Sequence, residues 1–393
     1  MVDGLPCAGI YVHIPFCQAK CAYCDFISYP HCEHVFGPYV DALVSELYQR
    51  ARDWSGCCFD TLFIGGGTPT LLSPADIGRV VDACRDALGL SADAEVTVEG
   101  NPGTVDLAEL RALRRAGVNR LSLGVQSLHD DELALLGRIH TAAEAVQAYE
   151  WARSAGFENI NLDLIFGVPN QPLAAWQATL ERTLALCPEH LSLYSLIVEE
   201  GTPLAERITC GRLPAPEDDL AADMYELAEA LLDEAGYGQY EISNWARRDG
   251  QATAGLTLPA YACRHNIKYW RNEPYLGVGV AAHSYDGQSR YANTADVGMY
   301  IARIQAGQSA MESSEQPTTE QQMGETMMLG LRMNQGVTWE GFRRRFNVDM
   351  RAVYREEIDE FVELGLLAAD EQGVRLTPRG RLLGNQVFAA FLR

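Results

Sequence analysis

The stretch Tyr11-Val-His-Ile-Pro-Phe-Cys17-Gln-Ala-Lys-Cys21-Ala-Tyr-Cys24-Asp-Phe26 decides how this chain is read. Its first part belongs to a short apolar run, residues 9–15, that reads as a strand. Its second part places three cysteines in the loop that leaves the strand. Three thiolates this close can each take one iron of a cubane cluster and leave the fourth iron without a protein ligand. Zinc is the other metal the loop could take. A structural zinc site needs four closed ligands, and His13, His31 and His34 are near enough in sequence to supply one. The spacing is narrower than in a zinc knuckle, which favours the cluster.

The strand-then-helix order recurs downstream. Short runs rich in Val, Ile, Leu or Tyr at 61–65, 95–99, 120–125, 159–166 and 190–197 read as further strands. Helical stretches follow at 35–52, 74–88, 107–116, 142–155, 173–186 and 218–235. Repeated βα units imply a parallel sheet with helices outside it. Six in succession predict an α/β fold built on a partial (β/α)6 TIM-like barrel over residues 1–235; a flat doubly wound sheet fits the same pattern. Ser73-Pro74 caps a helix start, Asp76 suits its positive end, and Gly89, Gly117 and Gly156 stand where helices should stop. Residues 236–307 form a looser extension, 308–319 a polar linker, and 320–393 a small winged-helix-like α+β domain. In that domain helices are expected at 320–333, 338–346 and 350–364, strands at 366–369 and 374–376, and a last helix from 378.

The chain has 393 residues and a formal net charge of −22. That charge repels phosphate backbones and argues against nucleic-acid binding, so Arg343, Arg344 and Arg345 read as a solvated helix face. No apolar run is long enough to span a bilayer, and the first nine residues lack the pattern of a secretory signal. A cytoplasmic location follows. The 11 cysteines form only one tight group. Cys7, Cys32, Cys84, Cys187 and Cys210 read as apolar fillers or incidental thiols, and Cys57-Cys58 as too close for bridging each other or chelating.

Other strand ends carry polar residues. Gly65-Gly66-Gly67-Thr68-Pro69 closes the second strand, either as a flexible turn or as a place where backbone meets a ligand. Glu99 ends the third, Gln126-Ser127 the fourth, and Asp163 lies within the fifth. A carboxylate among Leu and Ile is costly without a partner. These groups either make structural ion pairs and caps or line the C-terminal mouth of a barrel, where such folds place their chemistry.

The segment 11–26 resembles the signature loop of the radical S-adenosylmethionine (radical SAM) superfamily. The resemblance implies a [4Fe–4S] cluster on Cys17, Cys21 and Cys24, with S-adenosyl-L-methionine chelating the open iron through its amino and carboxylate groups. One-electron reduction then cleaves the sulfonium and yields a 5′-deoxyadenosyl radical. It further implies that Tyr11 neighbours the cluster and that Phe26, Gly66, Gly67 and Thr68 sit by S-adenosylmethionine; at the barrel mouth the carboxylates of Glu99 and Asp163 can hold ribose hydroxyls, with Gln126 among the cofactor-binding residues. Arg138 pairs with the methionyl carboxylate. A branched residue at Gly66 is expected to hinder the ligand and spare the cluster.

Tyr11-Val-His-Ile-Pro-Phe-Cys, GGGTP, Glu99-Gly-Asn-Pro, Gly124-Val-Gln-Ser and Asp163-Leu-Ile-Phe-Gly-Val-Pro resemble one family within that superfamily. It holds the oxygen-independent coproporphyrinogen III oxidases and the HemW haem chaperones. The oxidases carry a further Cys where Phe26 stands here, and a long N-terminal extension. Cys263-Arg-His265-Asn266-Ile-Lys-Tyr269-Trp270 matches the HNxxYW motif of the chaperone branch. The chaperone resemblance implies haem b as cargo, His265, Tyr269 and Trp270 as its contacts, haem-accepting respiratory proteins at the membrane as partners, an electron donor for the cluster, and a homodimer. Imidazole is a common axial ligand, and Tyr and Trp offer flat apolar surface. A hydrogen-bonded structural role for His265 is the competing reading; Cys263 and His283 are weaker ligand candidates. The alternative function is decarboxylation of coproporphyrinogen III.

Overall fold

Strand β1 (Ala8–Ile14) is buried on both faces except at half-exposed Tyr11, as a central strand of a parallel sheet must be. A computed structural model describes residues 7–248 and 257–392; residues 1–6, part of the stretch on which the signal-peptide reading rests, lie outside them. After β1 come β2 (Phe59–Gly66), β3 (Leu90–Gly100), β4 (Arg120–Gln126), β5 (Ile160–Phe166) and β6 (His190–Ser195). Each pairs in parallel with the next, and helices α1 (Phe36–Arg50), α2 (Pro74–Leu88) and α3 (Leu107–Arg115) connect them. A short α4 (Asp130–Leu135), which the sequence pattern did not suggest, precedes α5 (Ala142–Ser154) and α6 (Leu173–Ala185). The partial barrel is therefore present in the expected order.

The extension is part of the same sheet. Beyond α7 (Pro203–Thr209) and α8 (Asp218–Glu234), strands β7 (Tyr237–Glu241) and β8 (Asn244–Arg247) join antiparallel beside β6. Helix α9 (Arg264–Trp270) crosses back, and β9 (Tyr275–Val278) runs parallel to β1. Strands β10 (His283–Tyr285), β11 (Arg290–Asn293) and β12 (Met311–Glu315) continue outward, with α10 (Val297–Gln305) between the last two. Among the described residues this makes one twelve-stranded sheet. The 308–319 linker is thus corrected: its polar residues form an exposed edge strand, where charged side chains protect open backbone groups.

The last domain starts with α11 (Thr319–Gly330). A three-stranded sheet of β13 (Val337–Thr338), β14 (Leu367–Ala369) and β15 (Gly373–Leu376) packs with α12 (Trp339–Phe346) around its own apolar core. The single helix expected over 350–364 is two, α13 (Met350–Val353) and α14 (Arg355–Glu363), divided at Tyr354 where φ is −122°. The final helix is likewise two, α15 (Pro378–Leu382) and α16 (Gly384–Ala390). A further correction concerns Cys7. It is no incidental thiol but forms a disulfide with Cys58, tying the start of β1 to the loop before β2.

Candidate cofactor-binding site

The loop after β1 is pinned before any ligand arrives. Phe16 pairs with Tyr29, the Tyr29 amide donates to the Pro15 carbonyl at 2.6 Å, and Ala22 is held between Leu136 and Leu204. Amides of the glycine turn complete the clasp: Gly67 donates to Ile14 at 2.8 Å and Thr68 to Phe16 at 2.7 Å. Cys17, Cys21 and Cys24 emerge as free, half-exposed thiols on one wall of a cavity of about 520 Å3. Burial and the neighbouring thiolates push the Cys24 thiol up from its ordinary value, so binding of a metal there must displace its proton. Among the described residues no three His, Cys, Asp or Glu side chains gather as ligands of one ion, whereas a cubane takes each thiolate on a separate iron. His13 is no fourth ligand. Its Nε2 lies 3.2 Å from the Ile27 carbonyl, and its Nδ1 lies 2.9 Å from the Tyr11 hydroxyl.

The facing walls come from strand ends. Phe26, Gly66, Gly67, Thr68, Glu99, Gln126, Arg138 and Asp163 all line the same cavity as the cysteines. The Arg138 guanidinium reaches Cys21 Sγ at 3.2 Å and the Gly124 carbonyl at 2.9 Å, while its Nε is buried without a partner. Phe26 is 65% exposed and lines the cavity together with exposed Ile197, an apolar pairing of the kind that marks a ligand site. Glu99 accepts from the Gly66 amide at 3.0 Å. Burial, then the Asp163 charge, pushes its carboxyl up to about 7. Asp163 accepts from Ser122 at 3.1 Å and Asn161 at 2.8 Å. Gln126 holds φ at +66° beside a register shift in β4; a non-glycine residue in that region is a strain found at ligand sites. Three thiols, an arginine with an unfilled donor and a bare aromatic suit an iron–sulfur cluster with a small carboxylate-bearing ligand that carries a flat ring.

Several expectations need correction. Tyr11 does not face this cavity; it lines a second, inner one and reaches the cysteine loop only through His13. The glycines are required by the protein itself. A Cβ on Gly66, at φ +115°, would lie 2.5 Å from the His13 ring, and one on Gly67 would lie 2.5 Å from the Phe16 carbonyl oxygen and 3.0 Å from Cys17 Sγ. Substitution at either therefore disturbs the cysteine loop along with any ligand. Asn101, which the sequence reading passed over, donates to Thr68 at 2.9 Å and accepts from Arg138. Tyr23, Tyr194 and Ile197 also line the cavity. Only the position of Asn101 two residues beyond Glu99 could have flagged it.

The inner cavity, about 190 Å3, lies inside the barrel and shares Glu99, Ser122, Asp163 and Tyr194 with the larger one. It has room for several waters. Arg120, 2% exposed, lines it with an unpartnered Nε. Helix α9 bounds it with His265, Asn266 and Tyr269. His265 is 1% exposed, and both ring nitrogens are taken: Nδ1 by Thr61 at 2.9 Å and Nε2 by Tyr269 at 3.0 Å. Burial, aided by Lys268 and Arg120, pulls its pKa down to about 3, so it is neutral. Glu95 caps the helix, accepting from the Arg264 and His265 amides at 3.1 Å each. Trp270 stacks under Arg332. In this conformation His265 is a structural hydrogen-bonding residue and not an available iron ligand. Cys263 is buried, with its thiol pushed up to about 12 by burial. His283 is exposed on β10.

Fold and cavity together define a radical SAM protein, and the radical SAM superfamily model matches residues 11–183. The HemN C-terminal domain model matches residues 318–383. A haem chaperone HemW from Bacillus subtilis is 39% identical over 97% of this chain and 98% of its own length. One from Mycobacterium tuberculosis is 34% identical over 98% and 94%. The mitochondrial radical S-adenosyl methionine domain-containing protein 1 of Mus musculus is 35% identical over 95% and 84%. Among solved structures, the Escherichia coli coproporphyrinogen III oxidase HemN superposes with a TM-score of 0.83 at 26% identity, covering 98% of this chain and 90% of that one. The chain belongs to the HemW family of radical SAM proteins. That superfamily is the one that holds a [4Fe–4S] cluster and S-adenosylmethionine. Among the described residues no helix is long and apolar enough to cross a membrane.

Proposed function

We propose that this protein is a haem chaperone: it binds haem b and delivers it to haem-dependent proteins, respiratory enzymes at the membrane among them, working from the cytoplasm. The observation that carries this is the near full-length match to relatives named haem chaperones, in a chain whose residue two beyond the third cysteine is an exposed Phe26. When bound, the cluster supplies an electron to the sulfonium of S-adenosylmethionine. The chain's own residues do the rest. Cys17, Cys21 and Cys24 anchor the cluster, Arg138 and the glycine turn orient the methionyl group, Glu99 and Asp163 take hydroxyl donors, and Phe26 covers the open side. An electron donor docks at the cysteine face, and two copies associate when cluster and ligand are in place. His265, Tyr269 and Trp270 serve haem only once α9 has moved, because both imidazole nitrogens are engaged in the closed state.

The fold likeness to coproporphyrinogen III oxidase favours a second reading, radical decarboxylation of that porphyrinogen. Anaerobically reconstituted protein separates the two in parallel assays. A stoichiometric Soret shift on haem addition, without coproporphyrinogen turnover, is expected. Turnover of coproporphyrinogen III with release of 5′-deoxyadenosine would reject the chaperone reading.

A further inference from the structure

The floor of the barrel carries an unassigned redox feature. Cys7 and Cys58 are joined, and Cys57, beside them, is a free exposed thiol. Cys58 is exposed as well, so small reagents can reach the bond. In a reducing compartment a disulfide is usually transient, and its state carries information. The disulfide's surroundings connect it to α9. Lys268, whose side chain is 7% exposed, donates to the Cys7 carbonyl and pairs with Asp60 at 2.8 Å. Arg264 pairs with Asp60 at 3.0 Å, two residues past Cys58. The Ala8 amide donates to the Cys58 carbonyl at 2.8 Å. Two residues beyond Cys7, a Cβ on Gly9 would lie 2.9 Å from the His265 ring. Besides the Glu95 cap and the Thr61–His265 bond, two further polar anchors of the helix, the Cys7 carbonyl and the Asp60 carboxylate, sit on the two segments that the disulfide joins.

We propose that Cys7 and Cys58 form a thiol–disulfide exchange site for low-molecular-weight thiols, and that the Cys7–Cys58 bond latches α9 over the barrel floor. In the opening step a thiolate attacks Cys58 Sγ, and the electron pair of the S–S bond leaves on Cys7 Sγ, which takes up a proton. A second thiol attacks the mixed disulfide, frees Cys58 and departs as the oxidised dimer, so two thiols supply the two electrons. Closure is the reverse, with the oxidised dimer as oxidant. Reduction removes the covalent tie between the residue 7 segment and the loop before β2 and leaves the Ala8–Cys58 backbone bond to hold them, so Lys268 bridges two segments that are less firmly joined. The site stands on these contacts alone and does not depend on haem being the cargo.

The test uses the full chain with its cluster in place, equilibrated anaerobically in glutathione buffers from fully reduced to fully oxidised. Alkylation and peptide mass analysis follow the bond, and hydrogen exchange follows residues 264–270. The expected result is a reversible Cys7–Cys58 bond and exchange in α9 at least fivefold slower in the oxidised form. The double variant Cys57→Ser/Cys58→Ser should exchange at the reduced rate in every buffer; if it does not fold, Cys7→Ser takes its place. Alkylation of Cys7 and Cys58 at every glutathione ratio would overturn the site. A bond that forms while α9 exchanges equally in both states would overturn the latch.

Discussion

Glu99 shows how one residue serves both fold and site. Its carboxyl is held up at about 7 by burial first and by Asp163 second. A carboxyl raised on folding favours the folded state while protonated. That contribution is whole below its ordinary value of about 4.5 and is lost as pH climbs to about 7. Protein without cluster or ligand should therefore lose stability over that window, by an amount on the order of 3 kcal/mol. Glu99→Gln should flatten the profile and be the more stable chain at pH 8. Urea unfolding at half-unit pH steps checks this, and identical slopes in the two proteins would count against the burial argument. At this scale the sequence was most legible where spacing constrains chemistry: the three cysteines, the glycine turn and the strand-end carboxylates all meet in one cavity. Tyr11 was set beside the cluster by motif resemblance, and a motif does not say which interior layer a side chain enters: here it lines the inner cavity, with His13 between it and the cysteine loop.

At the level of elements, end signals decided how well the chain could be read. Helix α2 starts and stops where Ser73 and Gly89 indicate, since Ser73 accepts from the Asp76 amide and Gly89 adopts φ +67°. Where no such punctuation exists, the reading failed: the 350–364 pattern has no Gly or Pro to announce its break. Strand β12 was missed because an edge strand needs no apolar alternation when neither face is buried. Disulfide pairing between residues 51 positions apart could not come from spacing at all. Helix α9 departs most from expectation: in this conformation it is a wall of the inner cavity and not an open ligand platform. His265→Leu should leave the Thr61 and Tyr269 hydroxyls without their shared partner, at a cost of about 1–3 kcal/mol. The loss should appear in urea unfolding and as faster hydrogen exchange across 264–270, with cluster content unchanged. A variant as stable as the parent would mean that the imidazole is not holding this wall.

Over the whole molecule, the question is what couples the C-terminal domain to the barrel. The segment after α11 lies against β7 by backbone: Ile242 donates to the Arg332 carbonyl at 3.2 Å and Asn334 to the Tyr240 carbonyl at 3.0 Å. Glu241 sits in this seam with no exposed surface, 3.5 Å from the Arg332 guanidinium. Burial pushes its carboxyl up, and Arg332 is the largest influence pulling it back down. Farther out, Arg381 pairs with Glu229 at 2.5 Å and Arg345 donates to Tyr285 at 3.0 Å. The outer contacts are of the kind that contribute little singly, whereas removing one member of a buried pair strands a charge, at roughly 3–5 kcal/mol. Arg332 is 26% exposed, so the lower end applies. Arg332→Met should destabilise the chain by about 3 kcal/mol at pH 8, and speed hydrogen exchange at 331–334 and through α11. Lowering the pH should reduce the penalty, because a protonated Glu241 no longer needs a cation; the raised carboxyl makes that relief begin above the ordinary carboxylate range. Measured by denaturant unfolding at pH 8 and pH 5, the difference between parent and variant should shrink with acid. An equal difference at both values would show that Arg332 acts by packing over Trp270 and not by charge, and would move the coupling of the two domains onto the backbone seam.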